Sequence, residues 1–97
     1  MKFKASEVAM MAFAIRTQQG PQGVQPRNFP IEKLKAAIDT FDKLIACSEG
    51  EGEQKKFIDG EVKFELPEKT LILELLDRSW GIDEGKLYLE IKEKLNK

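Results

Sequence analysis

The chain contains no histidine, and this absence excludes more chemistry than any other feature of its composition. Ser-His-Asp and Cys-His nucleophilic machinery, the commonest general acid–base group and His-containing zinc sites all go with it. Cysteine is represented by Cys47 alone. A single cysteine rules out an intrachain disulfide, a Cys-only zinc site and the disulfide-stapled scaffold of small secreted domains. A reactive thiol needs a neighbour that lowers its pKa, and no histidine is there to do so. Cys47 therefore reads as a small buried residue near a helix end. Long hydrophobic runs are missing too. The longest, Val8 to Ile15, has eight residues. As a helix it spans roughly 12 Å, against a hydrocarbon core of ~30 Å. The Arg16-Thr17-Gln18-Gln19 that follows is no small-residue cleavage site. A cytoplasmic protein is expected. An excess of one charge is also lacking, since the formal net charge is only -1.

What is present describes an ordinary globular domain. The 97 residues fit one domain, 1–97, and leave no room for a second. Apolar residues make up 41% of the chain, enough with so low a net charge to argue against intrinsic disorder.

Lys2-Phe3-Lys4 alternates as a short edge strand does. Ser6 is placed as an N-cap for a helix over about 6–18, with Glu7 in its first turn. That helix is apolar on nearly every face and must be covered all round, which makes self-association an expectation. Residues 18–30, QQGPQGVQPRNFP, read as a long loop, broken by Gly20-Pro21 and Pro26. A second helix is predicted over 31–47. There Ile31, Leu34, Ile38, Phe41 and Ile45 recur at 3,4,3,4 spacing, widened by Ala37 and Leu44, and packing of this stripe inside the domain is expected. Residues 48–56 form a polar, acidic connector.

Glu61 to Leu66 alternates strictly and predicts a strand. Pairing it with residues 2–4 sets Lys2 and Lys4 near Glu61 and Glu65, the favourable cross-strand combination. A hairpin through Asp59-Gly60 would add Lys55 to Ile58 as a third strand. A third helix is predicted over 67–80, carrying Leu71, Ile72, Leu75, Leu76 and Trp80, with Gly81 as its stop. Asp83 is placed to cap a fourth, with Ile82 and Leu87 at hydrophobic-staple spacing. Residues 86–92 also alternate, but their helix formers favour helix. The fold class is α+β and mostly helical: about four helices with a small two- or three-stranded antiparallel sheet.

Little of this carries chemistry. Residues 1–47 hold seven basic and four acidic side chains, and 48–97 hold nine and thirteen. No basic cluster results, so nucleic acid is not an expected partner. Glu49, Glu51, Glu53 and Asp59 lack the spacing of a calcium loop, and Gly20 and Gly23 lack the Lys-Ser/Thr ending of a phosphate loop. No cofactor, metal or catalytic residue is expected. Loops as long as 18–30 tend to be functional or disordered, and the functional reading nominates Arg16, Gln22, Gln25, Arg27, Asn28 and Phe29 as partner-binding residues, with Trp80 beside them. Aromatic and Arg side chains are favoured interface anchors. The composition thus points to a small non-enzymatic binding or assembly protein, and a homo-oligomer is one form of it. An adaptor for nucleic acid or an anionic partner through Arg16 and Arg27 is the alternative.

Overall fold

A helix that is apolar all round needs a cover, and the rest of the chain supplies it. The computed structural model describes residues 1–50 and 56–96. Their order is β1 (Lys2–Phe3), α1 (Ala5–Arg16), β2 (Thr17–Gly20), β3 (Gly23–Pro26), α2 (Ile31–Ile45), β4 (Ser48–Glu49), β5 (Lys56–Phe57), β6 (Gly60–Glu61), α3 (Leu66–Leu76) and α4 (Ile82–Leu95). Helix α1 is the axis and packs against α2, α3, α4 and β5. Val8 and Met11 are sealed, and Met10, Ala12, Ala14 and Ile15 are buried with them. Of its large apolar residues only Phe13 stays open, at 44% exposure. The cover comes from within the chain, so α1 does not require a second copy.

The fold is α+β and mostly helical, and the strands among the described residues form three separate two-stranded antiparallel ribbons in place of one sheet. In the first, β1 meets β6 with Lys2 opposite Glu61 and Phe3 opposite Gly60. Met1 and Val62 extend it by exchanging backbone bonds. The ladder is shorter than the predicted strand over 61–66, yet its alternation is physical: Val62 and Phe64 are buried while Glu61, Lys63 and Glu65 face solvent. The Lys4 ammonium does not pair with Glu65; it lies 3.9 Å from Glu90 Oε2. The second ribbon pairs β4 with β5, so the connector at 48–56 is partly strand, and its acidic centre at 51–55 lies outside the described residues. A Cβ on Gly60 would run into Cys47 Sγ. Gly60→Ala is expected to lower stability by about 1–3 kcal/mol in urea unfolding, because the buried thiol has little room to retreat.

The third ribbon replaces the long loop. β2 and β3 pair from Thr17↔Pro26 to Gly20↔Gly23. Pro21 presets its φ for a turn, and Gly23 completes the reversal at φ 110°. That angle suits glycine and strains any other L-residue. Gly23→Ala is therefore expected to cost about 1 kcal/mol, read as a lower melting temperature. Only residues 27–30 of the predicted loop remain irregular.

Helix ends also differ from the sequence pattern. α1 begins at Ala5 rather than after a Ser6 cap. The Lys4 amide donates to Glu7 Oε1 at 2.7 Å, and the Ala5 amide to Asp59 Oδ1 at 2.7 Å. α3 stops at Leu76, four residues before Trp80, whose indole donates to the freed Leu76 carbonyl at 2.9 Å. Gly81 precedes α4 at φ -67°, so it caps the start of that helix, not the end of α3. Asp83 sits inside the first turn, and Ile82 is exposed, so no staple forms. Residues 86–92 are helical, with Ile91 and Leu95 buried and Leu89 outside.

Two buried glutamates tie the helices together in the same way. Glu7 Oε1 takes the Lys4 amide and, at 2.6 Å, Lys94 Nζ from α4. Glu68 Oε1 takes the Glu65 amide at 2.8 Å and Lys43 Nζ from α2 at 2.5 Å. Burial pushes the Glu68 carboxyl up, but the Glu65 amide and the Lys43 ammonium outweigh it and hold its pKa below the usual carboxylate range. A lowered native pKa contributes stability above the unfolded-state value and loses it as pH falls through the native one. The stability gap between the wild type and Glu68→Gln is thus expected to shrink between about pH 7 and about pH 3, measured by urea unfolding.

Candidate protein-interaction surface

Helix α2 buries the wrong side of its own sequence pattern. Ala37, Thr40 and Leu44 point into the domain. The larger residues lie about 110° round the helix at 100° per residue, and there Ile31 is 88% exposed, Ile38 51% and Leu34 41%. Phe41 and Ile45, at the C-terminal end of the stripe, are half-buried. Expected packing of this stripe within the domain is therefore not found. The inward face packs against α1 and α3. Its one polar atom is satisfied, since the Thr40 hydroxyl donates to the Ala36 carbonyl at 2.6 Å.

A second apolar feature is a groove beside α1. Ala9, Phe13 and Arg16 of α1, Val24 and Pro26 of β3, and Phe57 of β5 line a cleft of about 450 Å³. Val24 and Phe13 are exposed along it. The Arg16 guanidinium lies 5.8 Å from the centroid of the Phe41 ring, which joins the groove to the C-terminal half of the stripe. Exposed apolar surface of this kind marks contact sites in soluble proteins.

The structure brings only two of the nominated partner-binding residues into that groove, Arg16 and Gln25. Gln22 sits at the exposed hairpin tip and Asn28 is exposed beyond β3. Phe29 packs half-buried against the core. Arg27 closes the end of α1: its Nε donates to the Ala14 and Thr17 carbonyls at 3.0 Å each. Arg78 Nη2 donates to the same two oxygens, at 3.2 and 3.1 Å, and its guanidinium stacks on Phe13 and Trp80. Burial lowers the pKa of Arg27; burial and the neighbouring Arg27 charge lower that of Arg78. Both remain cations, set against the negative end of the helix dipole. Trp80 is part of this closure. Phe13, Val24 and Phe57 escaped the sequence reading, because nothing in a linear pattern places a hairpin beside α1.

No helix among the described residues is long and apolar enough to cross a membrane. No protein-family model, curated protein or solved structure matches the chain.

Proposed function

We propose that the chain is a small non-enzymatic binding or assembly protein that works through protein–protein contacts. The observation that carries this reading is the exposure of Ile31, Leu34 and Ile38 on a helix whose Leu44 is sealed. A helix face with anchors at i, i+3 and i+7 is a recurrent recognition element, and an open stripe of that kind is an aggregation liability unless something covers it. The conspicuous acids do not favour catalysis. Glu7 and Glu68 are buried and engaged by backbone amides and lysines rather than open to a substrate. The anionic-partner alternative has less support. Arg27 is occupied with the carbonyls that end α1, and a helix C-terminus repels an anion.

The test is site-specific photo-crosslinking in cells that make the protein. A photoreactive side chain at position 38 is expected to give a discrete adduct, and one at exposed Lys86 on α4 is not. Equal labelling at both sites, or none at 38, would overturn the reading.

A further inference from the structure

We infer that the occupant of the α2 stripe is a second copy of this chain, docked α2 against α2, antiparallel, across a two-fold axis. The inference deepens the contact-surface reading above and rests on it. The 3,4,3,4 spacing of Ile31, Leu34, Ile38, Phe41 and Ile45 places them as the alternating core positions of a two-helix seam. One flank of that seam is Ala37 and Leu44, both buried in the domain. The other flank is Lys35 and Asp42, seven residues apart and both exposed. Neither belongs to an ion pair among the described residues.

Their spacing selects the partner. The midpoint between Lys35 and Asp42 falls between Ile38 and Asp39, half a residue from the centre of the stripe at Ile38. An antiparallel copy related by a two-fold axis at that point sets Lys35 beside the partner's Asp42 and Asp42 beside the partner's Lys35. A parallel copy would set like charges level with each other. The stripe is thus complementary to itself in one orientation, as an isologous interface requires. The low net charge of -1 leaves little overall repulsion between copies.

The experiment is sedimentation across the micromolar range, with thermal melts confirming that each variant folds. The wild type is expected to be a dimer that dissociates on dilution, and Ile38→Lys a monomer. Lys35→Asp and Asp42→Lys are each expected to weaken the dimer roughly tenfold, by replacing attraction with repulsion twice per dimer. The double swap K35D/D42K is expected to return within about threefold of the wild type, since one helix cannot bring positions seven apart into contact. A dimer indifferent to the swaps overturns the antiparallel arrangement. A monomeric wild type overturns the second copy as occupant. If position 38 still crosslinks to a protein of different mass, the contact-surface reading stands without this inference. If it crosslinks to nothing, both fail.

Discussion

Leu44→Ala is expected to lower the unfolding free energy by about 3 kcal/mol, as large-to-small changes at fully packed sites do. Ile38→Lys, on the same helix, is expected to leave it within about 0.5 kcal/mol at concentrations where the chain is monomeric. The hydrophobic pattern of α2 predicts the reverse, because Ile38 lies at the centre of the apolar stripe and Leu44 at its margin. Leu44 has no accessible surface, whereas half of Ile38 is open to water. Truncating Leu44 therefore removes buried methyl groups and leaves a void, while a lysine at 38 lays its stem over the half-covered site and keeps its charge in solvent. Urea unfolding at matched low concentration measures both. Equal losses for the two variants would place the stripe in the core and remove the basis for a contact surface.

Lys94→Met is expected to cost about 2–3 kcal/mol at neutral pH, near the low end for breaking a buried ion pair. Glu7 is sealed, and only its Oε1 has partners, the Lys4 amide and Lys94 Nζ. Oε2 has none. Loss of the ammonium leaves a carboxylate in the core with a single amide and the α1 N-terminus to hold it. Lys94 itself is about a third exposed, so water recovers part of the loss, which keeps the figure low. Adding Glu7→Gln to Lys94→Met is expected to restore all but about 1 kcal/mol, because the neutral amide still accepts the Lys4 N–H without the buried charge. The two changes lie in direct contact, so strong non-additivity in a double-mutant cycle is the signature. Additive losses would contradict the pairing of α1 with α4 through these side chains.

The parts of the fold that were legible in the sequence were those set by burial on one residue pattern. An eight-residue apolar run with no polar face identified α1 as a helix needing cover on all sides, and it became the axis. Alternation placed Val62 and Phe64 inside, and the charge pattern set Lys2 opposite Glu61 in the register. The hairpin at 17–26 was not legible because its strands, Thr-Gln-Gln-Gly and Gly-Val-Gln-Pro, carry no alternation, and Pro-Gln is not a favoured two-residue hairpin signal. The orientation of α2 was invisible for a different reason. Periodicity locates the apolar face of a helix, but not where the core lies. The core lies on the side of Ala37, Thr40 and Leu44, where α1 and α3 pack. Arg27 and Trp80 looked like surface anchors. In the fold they satisfy carbonyls at helix ends, partners that no spacing rule connects to them.

Methyl resonance broadening by a soluble paramagnetic probe, followed as the protein is diluted, reads out whether the apolar face of α2 is open and what closes it. In dilute solution the methyls of Ile31, Leu34 and Ile38 are expected to broaden strongly while those of Leu44, Leu76 and Ile91 stay sharp. At high concentration the three stripe residues are expected to become protected, and exposed Ile82 and Leu89 to remain open. Protection of Ile38 at every dilution would contradict the exposed face of α2. Protection that instead grows at Ile82 and Leu89 would place the contact surface on α4.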